Sequence, residues 1–265
     1  MNDPANAPNR FQDFFQSTAY VLLKKHLYNY RLRQKAVSTL LTGQPGGWTV
    51  EIGSGISPIC PAGEKTVFTD FSLVGLQSLK SAMGQGQYVV ADGTALPFKS
   101  GAVRRCVASE VIEHIADDRQ ALKEMARVLP PGGQCLITFP HRAAYFANDD
   151  AYVRHYRRYN LSDIGRKMRQ AGLSPRRIKK VLGPLEKIVM MAVVSLASLA
   201  DRRKPRRTGR VLSPRAVRTG AFIFKWGNLL LSLPVRLDAV LMPRSLSTVL
   251  LIEAVRDGDD SKRSR

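Results

Sequence analysis

Short apolar runs alternate with amphipathic helical patterns over most of the stretch from Trp48 to Leu182. The runs WTVEI, TVFTDF, QYVVAD, RRCVASEV and QCLITFP predict five strands, and SLVGLQSLKSAM and ADDRQALKEMARVL predict helices between them. SPRRIKKVLG and STVLLIEAVR predict a sixth strand and a final strand at 247–256. This alternation predicts an α/β fold with a doubly wound, mainly parallel sheet.

Two segments lie outside the alternation. Residues 11–41 carry aromatic and apolar side chains at three- and four-residue spacing, which predicts an amphipathic helix. Residues 184–245 interrupt the pattern before the last strand with two apolar stretches around a basic segment. The predicted organisation is a helical cap at 1–46, a core at 47–183, a helical insertion at 184–245, the last core strand at 246–256 and a disordered tail at 257–265.

The charge balance predicts an anionic partner. The chain has 41 Lys and Arg against 21 Asp and Glu, a formal net charge of +20. Its three cysteines form no CxxC pair, which predicts neither a disulfide framework nor a metal site and favours a reducing, cytoplasmic setting. The polar start MNDPANAPNR lacks the apolar run of a signal peptide, and the apolar stretch at 188–200 is too short to cross a membrane.

Acids and glycines end three of the predicted strands. VEIGSG closes the first strand, Asp70 ends the second and Asp92 follows the third. Ligands of open α/β sheets bind at these strand ends, where glycine lets the backbone approach closely. A dinucleotide site would need a third glycine opening a helix, but Pro58 stands there instead. The pattern therefore indicates a nucleoside site.

The motifs VEIGSG, TDFS, ADGTALPF and SEVIEHIADDRQALKEMARVLPPGG occur in this order at suitable spacing. With them, residues 48–141 resemble a class I S-adenosylmethionine-dependent methyltransferase of the group that includes the ubiquinone and menaquinone methyltransferases. The resemblance implies a Rossmann-like sheet and S-adenosylmethionine as the cofactor. The chain departs from the family at ISPICPAGEK, where most relatives have a full helix.

The resemblance also implies which residues bind the cofactor, carried over by position. It implies that the methionine part contacts Glu51, Gly53, Ser54 and Gly55, and that the ribose contacts Asp70, Phe71 and Ser72. The adenine would contact Asp92, Gly93 and Thr94. The floor of the site near the sulfonium would consist of Ser109, Glu110 and His114.

A hydroxyl acceptor would need a base beside the methyl donor. The candidates for this catalytic role are His114 in EVIEHI, His141 after the fifth strand, and His155 with Tyr156 in RHYRRY.

The insertion has several interpretations. Apolar helices around a basic segment, with Trp226 at the boundary, suit an element at the surface of an anionic membrane. A helical lid or a dimer interface would explain the same residues. Nucleic acid is less favoured, because the basic cluster lies among apolar runs rather than among stacking aromatics.

The sequence therefore predicts a cytoplasmic enzyme, peripheral on the inner face of the membrane, that methylates a small hydrophobic or lipid-linked acceptor at oxygen. An RNA methyltransferase and a non-catalytic, methyltransferase-like membrane or interaction module remain as alternatives.

Overall fold

The strands of the core have the order along the chain that the sequence predicts. The computed structural model describes residues 26–41, 46–203 and 214–258. In chain order the strands are β1 Thr49–Ile52, β2 Thr66–Asp70, β3 Gln87–Val90, β4 Arg105–Ser109, β5 Gln134–Pro140, β6 Leu173–Leu182 and β7 Val249–Arg256. The helices are α1 Tyr28–Leu41, α2 Leu73–Met83, α3 Asp118–Val128, α4 Asn148–Tyr152, α5 Leu161–Gln170, α6 Pro184–Arg203 and α7 Pro214–Leu241.

The strands form one sheet in the order β3-β2-β1-β4-β5-β7-β6. Neighbouring strands from β3 to β5 are parallel, and β7 runs antiparallel to both β5 and β6. The predicted doubly wound, mainly parallel sheet is confirmed. The strand order reverses between β1 and β4, and the carboxyl ends of these two strands border the crevice where such sheets bind ligands.

Helices cover the sheet, so the central strands are largely buried. Every residue of β5 is buried, as expected of a strand covered on both faces. On α3, Leu122, Met125 and Ala126 are buried on one face, and Asp117 Oδ1 accepts a hydrogen bond from Gln120 N at the helix start. The predicted helix is present, with a side-chain cap at its start and one apolar face toward the core.

The ends of several elements differ from the sequence prediction. β3 stops at Val90 and β4 spans only Arg105–Ser109, because the residues that follow turn into the loops above the sheet. The predicted N-terminal helix is present from Tyr28, and its first part, 11–25, lies outside the described residues. Most of the basic segment and residues 259–265 of the predicted tail also lie outside them, while Asp257 N donates to Gly172 O.

The insertion forms two helices between β6 and β7. α7 packs against α1 and β6, burying Val235 and Ala239, and Asp238 Oδ2 accepts a hydrogen bond from Leu185 N. Glu186 is buried at the root of α6, where its Oε2 lies 3.1 Å from Thr248 Oγ1. Among the described residues, no helix combines the length and apolarity needed to span a bilayer.

Replacing Glu186 with Gln is expected to change how stability depends on pH. Burial, opposed by the Arg158 charge, raises the pKa of Glu186 to about 7. Between about pH 4.5 and 7, the Glu186 carboxyl therefore keeps its proton in the folded chain but loses it in the unfolded chain. The free energy of unfolding falls as pH rises through this range. We expect Glu186→Gln to unfold at higher urea than wild type at pH 8, by on the order of 2 kcal/mol, and similarly at pH 5.

Exposed Glu64 offers the matched control, since Glu64→Gln should not alter the pH profile. Equal stability differences between wild type and Glu186→Gln at pH 5 and pH 8 would contradict the prediction.

Candidate functional site

The turn after β1 requires glycine at Gly53. Gly53 has a φ of +65°, and a Cβ there would lie 2.6 Å from Val111 Cγ2. Ser54 N donates to Thr69 O over 2.9 Å, which holds the turn against β2. Close approach of the turn to the residues after β4 therefore depends on the missing side chain.

Asp70 joins this turn to the start of α2. Its Oδ2 accepts a hydrogen bond from Gly55 N and its Oδ1 accepts one from Ser72 N, both at 2.8 Å. Ser72 Oγ in turn accepts from Gly75 N and caps α2. Phe71 lies between them with 61% of its side chain exposed. The carboxylate is half-buried and retains lone pairs for a further donor.

The loop after β3 has a second exposed carboxylate. Asp92 Oδ1 accepts hydrogen bonds from Thr94 N and Thr94 Oγ1, both at 2.8 Å. A Cβ on Gly93 would lie 2.9 Å from Ile115 Cδ1, so this loop also approaches the residues after β4 closely. Asp70 and Asp92 thus follow neighbouring parallel strands, at the edge of the sheet predicted for the ligand.

Glu51 has a structural role that the sequence did not predict. It is 2% exposed, and its Oε1 and Oε2 accept hydrogen bonds from Ile59 N and Cys60 N at 2.7 and 2.8 Å. Tyr30 Oη donates to Pro58 O over 2.7 Å, which ties the same loop to α1. These bonds fix the loop between β1 and β2, which contains no helix.

Polar groups from three elements meet at the end of β4. Ser109 Oγ lies 2.8 Å from Thr138 Oγ1, and Thr138 Oγ1 donates to Glu110 Oε1. Arg33 of α1 places Nη1 3.4 Å from Glu110 Oε2. Glu110 has a φ of +56°, an uncommon conformation for a residue with a side chain and one often found at functional sites.

Two of the predicted catalytic histidines lie together beside this point. The His114 and His155 rings are edge to face with centroids 4.6 Å apart, and His155 Nε2 lies 3.8 Å from Glu113 Oε1. Glu113 is fully buried. Burial and then the nearby Glu110 carboxylate raise the pKa of Glu113 well above its ordinary value.

A buried ion network orients His155. Asp150 Oδ1 lies 2.8 Å from His155 Nδ1 and 2.7 Å from Arg158 Nε, and Asp150 Oδ2 accepts a hydrogen bond from Lys187 Nζ at 2.6 Å. Burial alone would raise the pKa of Asp150, but the bonds from His155 and Arg158 outweigh it and hold the pKa well below the ordinary value. Asp150 is therefore an anion, and His155 Nδ1 is the donor to it.

The other two predicted catalytic residues lie in different surroundings. His141 is buried with Nδ1 2.9 Å from Ser247 O, and burial lowers its pKa, so the imidazole is neutral at pH 7. Tyr156 is half exposed, and its backbone N donates to Glu113 O over 2.9 Å. The structure thus brings His114, His155 and Tyr156 together at the turn after β4, while His141 joins β5 to the start of β7.

Comparison with known proteins identifies a domain within the chain. Residues 50–137 match the family model described as "Methyltransferase domain". An uncharacterized methyltransferase of Mycobacterium sp. (strain JLS) is 37% identical over 76 residues, which cover 29% of this chain and 30% of that protein. One from Mycobacterium marinum is 36% identical over 75 residues, covering 28% and 29%. The matched segment thus spans about 30% of the length of these curated relatives.

Solved structures share the fold over nearly the whole chain. A chain from the Haloferax volcanii complex of a methyltransferase activator with a methyltransferase has a TM-score of 0.62 at 15% identity, covering 95% of this chain and 100% of that one. Phosphoethanolamine N-methyltransferase 2 of Haemonchus contortus, solved with S-adenosylmethionine, has a TM-score of 0.56 at 16% identity, covering 97% and 62%.

Residues 50–137 therefore form a methyltransferase domain, and the sheet around them has the fold of the class I S-adenosylmethionine-dependent methyltransferases. The comparisons support the prediction from the sequence motifs at the level of this domain and of the fold.

Glu51→Gln is expected to loosen the loop between β1 and β2. The Gln amide has the size of the Glu carboxylate, but it has only one acceptor oxygen. Its NH₂ group would face one of the two backbone N–H groups, so one buried hydrogen bond would be lost and two donors would face each other. We expect a loss on the order of 2 kcal/mol in urea unfolding and faster amide exchange at Ile59 and Cys60. Unchanged protection of these two amides would contradict the assigned role.

Proposed function

We propose that this protein is an S-adenosylmethionine-dependent methyltransferase that acts on an oxygen atom of a small hydrophobic or lipid-linked acceptor. The observation that carries the proposal is the joining of the Gly53–Gly55 turn to Asp70 at the end of β2 within a matched methyltransferase domain. The resemblance to ubiquinone and menaquinone methyltransferases supports the hydrophobic acceptor.

The residues at the strand ends fit a nucleoside that carries a positive sulfonium. Gly53 and Gly93 lack the side chains that would collide with Val111 and Ile115, so both loops lie close to the residues after β4. Asp70 and Asp92 offer carboxylate oxygens to ribose and adenine donors, and no Lys or Arg occurs between Trp48 and Glu64 to bind phosphate. S-adenosylmethionine, when bound, supplies an electrophilic methyl group; these residues hold and orient it.

Ser109, Glu110 and His114 follow β4 and are proposed to form the floor of this site. His114, His155 and Tyr156 are proposed to form the acceptor side. An oxygen acceptor must lose its proton, and paired imidazoles beside buried acids support that chemistry. His141 is proposed to have a structural role, which its bond to Ser247 O supports.

Replacing either exposed carboxylate should weaken cofactor binding. We expect Asp70→Asn and Asp92→Asn to raise the Kd for S-adenosylhomocysteine by roughly ten- to a hundredfold in calorimetric titration, because each loses charge-assisted hydrogen bonds to the nucleoside. Asp163→Asn, which changes an exposed acid on α5, should bind like wild type. A folded wild-type protein that binds neither S-adenosylhomocysteine nor S-adenosylmethionine would refute the proposed activity.

A groove lined by none of the proposed cofactor or acceptor residues offers a separate surface for a hydrophobic molecule. It lies between α1, α7 and the loop after β1, with a volume of about 540 Å³. Its apolar wall includes Ile59, which is also held in place by Glu51. Basic side chains stand among the apolar ones, so the groove suits an amphipathic molecule with an anionic group: Arg31, Lys35 and Arg236 beside Tyr28, Leu32, Leu229 and Leu233.

An exposed stripe along α7 supports peripheral contact with a lipid surface. Large apolar side chains recur on this helix every three or four residues and are 48 to 74% exposed: Trp226, Leu230, Leu233, Leu237 and Leu241. Lys225 and Arg236 are exposed on the same helix. An apolar stripe with flanking cations is the pattern of helices that lie in the headgroup region.

Polar substitutions in this stripe should release the protein from vesicles. We expect the protein to float with phosphatidylcholine vesicles that contain phosphatidylglycerol, and less with phosphatidylcholine alone, because the surface charge adds to apolar burial. Leu230→Gln combined with Leu237→Gln should weaken binding about tenfold or more. Leu73→Gln removes an exposed leucine from α2 and serves as the control.

Equal flotation of the double variant and wild type would contradict membrane contact by α7. The acceptor class can be determined with the same vesicles, loaded with a cell lipid extract and supplied with methyl-tritiated S-adenosylmethionine. Label in the lipid phase is the expected result, and label in added cellular RNA would favour the RNA alternative.

A further inference from the structure

Three side chains able to bind a metal ion converge where the turn after β4 meets the segment between α4 and α5. One ligand atom from each of Glu113, His114 and His155 lies within 4.8 Å of the other two. The two histidines are partly exposed and the carboxylate is buried beneath them. A small cation could therefore enter from the histidine side.

The Glu113 carboxylate is an independent indication of a cation. The residue is 0% exposed, and within the described part of the chain neither carboxylate oxygen has a hydrogen-bond partner. The nearest basic group is His155 Nε2, at 3.8 Å from Oε1. Burying a carboxyl group without donors is costly, and buried acids are normally paired or coordinate metals. Both oxygens of Glu113 are available for coordination.

His155 is already oriented as a metal ligand. Its Nδ1 donates to Asp150 Oδ1 over 2.8 Å, so the lone pair of the neutral ring is on Nε2, the atom nearest Glu113. Metal-binding histidines almost always donate their other ring N–H to a carboxylate or carbonyl in this way. Arg158 and Lys187 bind Asp150 in turn, so the ring is supported by two successive layers of contacts.

We propose that Glu113, His114 and His155 bind one divalent transition-metal ion, with Asp150 as the carboxylate that orients His155. Two imidazoles and a carboxylate suit Zn²⁺ and its neighbours in the first transition row better than Mg²⁺, which prefers oxygen ligands. In a tetrahedral Zn²⁺ site the ligand atoms are about 3.4 Å apart, so binding draws a pair that is 4.8 Å apart closer by about 1.4 Å. Rotation of the partly exposed His114 side chain supplies that movement.

The cation would also restrict the acceptor. Three protein ligands leave one tetrahedral position open, and an oxygen ligand bound there becomes more acidic. An acceptor with a hydroxyl group is therefore the class that this site selects. That consequence rests on the proposed methyl transfer, whereas metal binding does not.

Metal titration of the full chain tests the site. The protein is freed of any purification tag, stripped with a chelator and titrated with Zn²⁺ by calorimetry, and with Co²⁺ by visible absorption. We expect one ion per chain and the intense absorption of tetrahedral Co²⁺. Glu113→Gln and His114→Ala should each weaken Zn²⁺ binding by at least tenfold, because each removes one of three ligands. His26→Ala removes a histidine outside the cluster and should bind Zn²⁺ like wild type.

Because His114 is also proposed to border the cofactor, circular dichroism and urea unfolding of every variant separate loss of the metal site from loss of the fold. His114→Ala changes a partly exposed residue and keeps the test valid if Glu113→Gln fails to fold. A wild-type protein that binds S-adenosylhomocysteine but no stoichiometric Zn²⁺ or Co²⁺ would overturn the metal site alone. Equal Zn²⁺ affinity in wild type and in both cluster variants would overturn it as well.

Discussion

The carboxylate of Asp150 links the methyltransferase domain to the insertion. It binds His155, Arg158 and Lys187, which come from the segment before α5 and from α6. Arg158 Nη1 also reaches the backbone oxygens of His141 and Thr248 at 3.4 Å, at the end of β5 and just before β7. Removing one partner of a buried ion pair costs far more than the intact pair contributes, since a charge is then left unpaired. The orientation of His155 and the position of the start of α6 therefore depend on one side chain.

Carboxylates also replace a missing helix in the domain. The helix that the sequence resemblance implies between the first two strands would pair its own backbone N–H and C=O groups. Here the loop amides of Ile59 and Cys60 bond to Glu51, and the Gly55 amide bonds to Asp70. Both acids therefore order backbone, and only Asp70 is also partly exposed at the crevice. This division of roles explains how a loop rich in proline and glycine keeps a fixed path beside the site.

Local patterns in the sequence predicted most of the sheet. β1, β2 and β5 are short buried runs, and the glycines and acids that follow them are placed by strand direction alone. Side-chain contacts between residues far apart in the sequence were not predictable, because no local sequence pattern indicates them. Arg33 with Glu110, Lys187 with Asp150 and His114 with His155 each join distant parts of the chain. Glu113 could have been noticed as an acid beside a histidine in EVIEHI, but its burial follows only from the packing of the later segment over the turn.

The insertion has polar contacts where it joins the core and an apolar face on its outer side. At the root, Asp238 accepts a hydrogen bond from Leu185 N, and Lys187 is paired with Asp149 and Asp150. A lid that only closed the sheet would bury the apolar stripe of α7, whereas Leu230 and Leu241 are each more than 70% exposed. α7 already meets α1 and β6 through Val235 and Ala239, so the stripe is a second apolar face of the same helix. This second apolar face has no core left to fill within the described residues, and its exposure is the observation behind the proposed contact with a lipid surface. Lys187 binds Asp150 at the start of α6, and Asp150 orients His155. A lipid surface that contacts α7 would therefore contact a pair of helices, α6 and α7, that is linked to His155 through Asp150.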